Sequence, residues 1–160
     1  MLFADIFTGR LKDEIPKAVD AFNAALNSAQ ARIRTLDLSD NAFGPNGAIA
    51  VEPWLNSPCC LKLQVLRLNN NGLGVHGGIM IANGLKGLAE LAREDGVQLN
   101  LREFICGRNR QEVGGTAALS EALGQIGTLE VIELPQNGIL VAGKITAFTR
   151  LSLFVHILQF

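Results

Sequence analysis

Tyrosine is absent from this 160-residue sequence, cysteine occurs three times and the net charge is −1. With no excess of positive charge and no basic tract interleaved with aromatics, nothing in the chain would track a phosphate backbone, so nucleic acid is not an expected partner. Two of the cysteines, Cys59 and Cys60, are adjacent. They do not make the even set of separated pairs that a disulfide-stapled secreted fold needs, and a reducing compartment is expected instead. No His or carboxylate cluster has metal-ligand spacing around them, so no metal site is expected. Asp5 and Arg10 interrupt the first apolar run before it reaches signal-peptide length. The apolar stretch 145–160 contains Arg150 and His156 and falls short of the roughly 20 residues that a spanning helix requires, so no membrane span is expected.

What the chain does contain is a repeat. Leu36-Asp37-Leu38-Ser39-Asp40-Asn41-Ala42-Phe43-Gly44 returns as Leu66-Arg67-Leu68-Asn69-Asn70-Asn71-Gly72-Leu73-Gly74. Two looser copies, Phe104-Ile105-Cys106-Gly107-Arg108-Asn109 and Ile132-Glu133-Leu134-Pro135-Gln136-Asn137, keep the apolar-x-apolar-x-x-Asn spacing but lose the Gly three places on. Each copy reads as a short strand, an Asn turn and an exit toward a helix. A unit of this size cannot bury its apolar face alone, so the copies are expected to stack as an α/β solenoid, with a parallel sheet on the concave face and helices outside. With 48% hydrophobic and 18% charged residues, the composition suits one globular domain.

Helical spacing links Ile15, Val19, Phe22 and Leu26, then Ile81, Leu85, Leu88 and Ala92, then Leu119, Leu123 and Ile126. Between the first two, a helix is expected over Asn46 to Asn56, starting late or kinking at Pro53. Residues 1–12 read as the end of a strand followed by a turn at Gly9. The domain is expected to cover 1–139, incomplete at both ends, with 140–160 as an atypical apolar segment capping the last repeat. Asn41, Asn71, Asn109 and Asn137 are expected to form a ladder whose amides pair backbone groups left open where each strand bends away. Asp37, Arg67, Ile105 and Glu133 would face the concave side, with Asp37 and Arg67 placed to pair.

Several patterns that resemble catalytic motifs have simpler sources. Gly72-Leu73-Gly74-Val75-His76-Gly77 satisfies G-x-G-x-x-G after a strand and before a helix. The preceding copy repeats the turn as Gly44-Pro45-Asn46-Gly47, however, and no carboxylate ends a second strand about 20 residues later, as a dinucleotide site needs. His76 falls in a turn and His156 in the atypical tail, with no Ser or Cys placed for activation. Cys106 occupies the slot of Leu38, Leu68 and Leu134 and reads as a small buried hydrophobe. The polar residues left over are Thr8, Arg10, Lys12, Asp13, Asn69, Asn70, Arg108 and Arg110, all expected along the strand-to-helix rim.

Asp5-Ile6-Phe7-Thr8-Gly9-Arg10-Leu11-Lys12-Asp13-Glu14-Ile15-Pro16, Leu38-Ser39-Asp40-Asn41-Ala42-Phe43-Gly44-Pro45, Asn70-Asn71-Gly72-Leu73-Gly74, Gly107-Arg108-Asn109-Arg110 and Pro135-Gln136-Asn137-Gly138-Ile139 together resemble the Ran GTPase-activating protein family. The resemblance spans about residues 3 to 139. It implies a leucine-rich-repeat solenoid of the ribonuclease-inhibitor-like kind. It also implies a protein that binds the small GTPase Ran in its GTP form and stimulates hydrolysis during nucleocytoplasmic transport. Such a protein has no active site or cofactor of its own, since GTP and Mg²⁺ belong to the partner. The family is thought to work without an arginine finger, by ordering the GTPase's own Gln. On this resemblance Arg10 matches the family's Thr-Gly-Arg arginine and Asn70 the Asn that faces the GTPase near its nucleotide, while Lys12 and Asp13 fall at the same interface. A Ran-binding protein in a ternary complex and a cytoplasmic location, extending to the nuclear-envelope periphery, belong to the same implication. Family members carry further repeats on both sides and an acidic stretch, so the chain is expected to be a fragment. The alternative is a repeat scaffold that binds without activating, or an inactive fragment.

Overall fold

In the computed structural model, residues 1–139 and the backbone of His156–Ile157 are described. Four helices, α1 (Glu14–Ser28), α2 (Gly44–Leu55), α3 (Gly74–Glu94) and α4 (Glu112–Ile126), alternate with the strands β1 (Thr35–Asp37), β2 (Val65–Arg67), β3 (Glu103–Ile105) and β4 (Val131–Glu133). The strands pair in sequence order, all parallel, with Leu36, Leu66, Phe104 and Ile132 in register. Each of these central residues is fully buried, whereas both neighbours in every strand are only half-buried. The sheet therefore turns one face to the helices and the other to solvent, as the repeat predicts. Leu38, Leu68, Cys106 and Leu134 form a second buried row one pleat further on. Burial of each large side chain in these rows contributes roughly 1.5–3 kcal/mol.

The helices pack in sequence order behind the sheet. On α1, Ile15 and Val19 are buried, while Phe22 remains partly exposed against the rings of Phe3 and Phe7 at 5.0 and 6.4 Å. Ile81, Leu85, Leu88 and Ala92 of α3 and Leu119 and Leu123 of α4 line the core. The longer interval between Asn71 and Asn109 holds the 21-residue α3. Cys59, Cys60 and Cys106 are free thiols and fully buried. No helix among the described residues is long and apolar enough to cross a membrane.

Two sequence expectations need correction, and a third gains detail. Helix α2 begins at Gly44 rather than later, because Pro45 falls in its first turn, where a missing N–H loses nothing, and Pro53 is accommodated near the end. Asp37 and Arg67 share a register position but do not pair. Arg67 donates through Nε and its terminal nitrogen to Glu103 Oε1 at 2.9 and 2.7 Å, and Asp37 Oδ1 accepts the N–H of Ser39 at 3.0 Å. A carboxylate so close in sequence closes its own turn in preference to reaching across the sheet. Residues 1–9 keep the expected strand end and the turn at Gly9, whose φ is 83°, and align with the later turns as an additional copy. Leu2 bridges Asp37 in parallel, Phe3 and Asp5 donate backbone hydrogen bonds to Asp37 and Ser39, and Ile6 stands where the ladder Asn would be. The end cap expected over 140–160 lies outside the described residues, apart from β5 (His156–Ile157), which runs parallel beside β4.

Candidate functional site

The turn that follows each strand has one backbone solution, repeated. The residue before each ladder Asn has a left-handed φ: 60° at Asp40, 52° at Asn70, 56° at Arg108 and 56° at Gln136. The residue after it does too, at Ala42, Gly72, Arg110 and Gly138. Three places beyond the Asn, Gly44 and Gly74 have φ of 58° and 66°, and Glu112 holds the same conformation at 52° without glycine's freedom. The loss of Gly there thus leaves the turn unchanged and places a side chain in a conformation that L-residues disfavour by roughly 1–2 kcal/mol.

Between these left-handed residues the ladder Asn points inward. Asn41 N–H donates to Asn71 Oδ1 at 3.0 Å, Asn71 N–H to Asn109 Oδ1 at 2.9 Å, and Asn109 N–H to Asn137 Oδ1 at 2.8 Å. Each Nδ2 in turn donates to carbonyls of its own strand end and of the preceding repeat, as Asn71 does to Leu68 and Leu38. Asn41 forms the last rung, its Oδ1 accepting the N–H groups of Ile6 and Phe7 at 2.9 and 3.0 Å. All four side chains are buried and satisfied.

One residue earlier in each copy, the side chains emerge and form an exposed row along the rim. Thr8 Oγ1 donates to Asp5 Oδ1 and lies 3.2 Å from the carbonyl of Asp40. Asn70 Nδ2 donates to Asp40 Oδ1 at 2.9 Å, and Arg108 Nε donates to Gln136 Oε1 at 2.8 Å. Beside the row lies a groove of about 800 Å³ lined in part by Asp5, Thr8, Lys12, Asp40 and Asn70. A second hollow of about 450 Å³ is lined by Asn70, Gly72, Arg108, Arg110 and Gln136. Charge changes sign along the rim, from Asp5 and Asp40 to Arg108 and Arg110, and Asn70 borders both hollows.

The sequence-derived site residues are only partly gathered. Lys12 and Asn70 share the larger groove. Arg10 is exposed in a neighbouring hollow with Ile6, Phe7, Glu14, Ala18 and Phe22. Asp13 precedes α1 as its N-cap residue, and its side chain makes no capping hydrogen bond. Asp5 and Asp40, which sequence reasoning had not singled out, stand inside the groove; the available signal was their position in the repeat, equivalent to Asn70. Cys106 has no place in any chemistry here. Burial pushes its thiol up to about 12 against the opposing pull of amide donors from Gln111 and Asn109, so it stays protonated.

A sequence model described as leucine-rich repeat matches residues 33–51 and 59–82, which hold the first two full copies. Over 138 residues, 86% of this chain, it is 49% identical to Ran GTPase-activating protein 2 of Caenorhabditis elegans. It is 50% identical over 137 residues to Ran GTPase-activating protein 1 of Xenopus laevis, and 46% identical over 142 residues, 89% of this chain, to the Ran GTPase-activating protein of Drosophila melanogaster. The chain is similar to Ran GTPase-activating proteins over most of its own length. It spans 14% of the Caenorhabditis relative and 24% of each of the other two. In this chain the leucine-rich repeats stack side by side, and the Asn ladder ties each turn to the next, below the row of rim side chains.

Proposed function

We propose that this chain binds Ran in its GTP form along the strand-to-helix rim and accelerates GTP hydrolysis without an active site of its own. The observation that carries the reading is the groove in which Lys12 and Asn70 converge, in a chain 46–50% identical to proteins named for this activity. GTP and Mg²⁺ would be held by the partner. Asn70, on a backbone fixed by its N–H bond to the carbonyl of Gly107 at 2.9 Å, would meet the GTPase beside the nucleotide and help to order the GTPase's own Gln toward water. Arg10 stands in a different hollow from Asn70, which supports a binding contact in place of a finger reaching the phosphates. Asp13 and Lys12 would extend that contact. A Ran-binding protein could share the complex, and the setting would be the cytoplasm and the periphery of the nuclear envelope.

Single-turnover hydrolysis on GTP-loaded Ran, with and without the purified chain, tests this. The wild-type chain is expected to accelerate the reaction. Asn70→Gly, which removes the side chain while keeping the left-handed backbone easy to adopt, is expected to lower the accelerated rate at least tenfold, about 1.4 kcal/mol of transition-state stabilisation. Binding of Ran with no acceleration by the wild-type chain would overturn the activator reading in favour of a scaffold.

A further inference from the structure

We propose that Asp40 is a positioning residue for Asn70, holding its amide so that Oδ1 is presented to the partner as a hydrogen-bond acceptor; this rests on the functional reading above. Asn70 is exposed, and its side chain would otherwise rotate freely. Asp40 Oδ1 receives Nδ2 of Asn70 at 2.9 Å across 30 residues of sequence. An ionised carboxylate can only accept, so the amide must turn its NH₂ toward Asp40 and its oxygen away. Among the described residues nothing donates to that oxygen.

Both ends of the contact are anchored. The N–H of Asp40 donates to the carbonyl of Asn69 at 2.9 Å, and the carbonyl of Asp40 lies 3.2 Å from Thr8 Oγ1. The N–H of Asn70 is bound to Gly107, and that of Asn69 to Ser39 Oγ at 3.2 Å. With the backbone fixed on both sides, the side-chain torsions of Asn70 are the remaining freedom, and the Asp40 contact removes it. The outer row pairs again at Arg108 and Gln136 but has no bond between Asn70 and Arg108. Asn70 Oδ1 is therefore offered at the place where the two rim hollows meet. The group it would meet on the partner is a donor, a hydroxyl or an N–H.

Two measurements test the proposal on the folded chain. In ¹⁵N-labelled protein, one side-chain amide proton of Asn70, assigned by its loss in Asn70→Gly, is expected to lie downfield of its position in a free Asn side chain, because it is hydrogen-bonded to a carboxylate. Asp40→Gly, which keeps the left-handed backbone, is expected to move that proton to the free-amide position, and Asp40→Asn, which retains an acceptor oxygen, to restore part of the shift. In Ran-stimulated hydrolysis, Asp40→Gly is expected to lower the maximal rate three- to tenfold while changing the half-saturating concentration less than twofold, with Asp40→Asn recovering at least half of the loss. An Asn70 amide signal indifferent to Asp40→Gly overturns the proposal whether or not the chain acts on Ran. So does an unchanged rate in Asp40→Gly beside a lowered rate in Asn70→Gly. Absence of any stimulation by the wild-type chain marks failure of the functional reading instead, and the amide signal then decides alone whether Asp40 holds Asn70.

Discussion

Asn70 and Asn71 are adjacent and carry the same side chain, yet they belong to two different regions of the molecule. Asn71 is 1% exposed and makes hydrogen bonds to three backbone carbonyls and one N–H. Asn70 is exposed and makes one side-chain hydrogen bond, to another exposed residue. The left-handed φ at Asn70 and at Gly72 turns Asn71 inward between two outward-facing neighbours. The backbone thus assigns the inner position of the four ladder turns to Asn, because a buried bend between stacked repeats uses an amide with both donor and acceptor. It leaves the outer position open to Asp40, Asn70, Arg108 and Gln136, which share no chemistry beyond polarity. A surface that can vary while its support cannot is suited to recognition.

The largest expected effect of breaking this contrast falls on the inner position. Asn71→Ala would leave the buried N–H of Asn41 without its acceptor and take one of two amide donors from each of the carbonyls of Leu38 and Leu68, which keep Asn41 Nδ2 and Asn109 Nδ2. One buried N–H left unpaired costs about 1–3 kcal/mol and each further hydrogen bond lost about 0.5–1.5 kcal/mol, so a destabilisation of about 3 kcal/mol is expected in urea unfolding, with an unchanged dependence on urea concentration.

The second change acts in the third turn, where the inner region departs from its own pattern. Gln111 is fully buried at the position held by Phe43 and Leu73 in the earlier copies, and its Oε1 has no partner while Nε2 reaches Cys106 Sγ at 3.1 Å. Replacing both the unpaired acceptor and the weak sulfur contact with an apolar side chain of similar size removes a desolvation penalty. Gln111→Leu is expected to raise stability by about 1 kcal/mol, read as a higher urea midpoint.

The inner region was legible in the sequence because its chemistry is restrictive. The apolar pairs and the four Asn residues recur at fixed offsets, and the sheet register follows from them. The outer region was legible as a place, since the repeat put Thr8, Asn70, Arg108 and Arg110 along the rim, whereas a role for any one of them came only from the resemblance. Asp40 was invisible because an Asp in a left-handed turn needs no functional reason, and only the distance to Asn70 gives it one. The copy at residues 2–9 went unseen because Ile6 replaces its Asn. Asp37 and Arg67 show a further limit. Register predicted their proximity correctly, but the nearer Ser39 N–H and the better-placed Glu103 decided the partners.

The concave face lies between the two extremes. Arg67 and Glu103 form an ion pair at 2.7 Å with both side chains partly open to solvent. Solvent screening limits such a pair to less than about 1 kcal/mol, so Arg67→Ala is expected to lower stability by no more than that, and by less still in 1 M salt, where the Debye length is about 3 Å.

The smallest expected effect on stability belongs to Asn70 itself, and it is the sharpest test of the contrast. Its one side-chain hydrogen bond is exposed, and its φ of 52° suits glycine at least as well as asparagine. Asn70→Gly should therefore shift the unfolding free energy by less than about 0.5 kcal/mol, although the residue one place along shifts it by several. A loss comparable to that of Asn71→Ala would mean that the outer row also supports the arc. In that case a fall in Ran-stimulated hydrolysis on removing Asn70 would report a damaged scaffold, not a missing contact. A near-silent unfolding curve beside a tenfold slower reaction would separate the two regions in one variant.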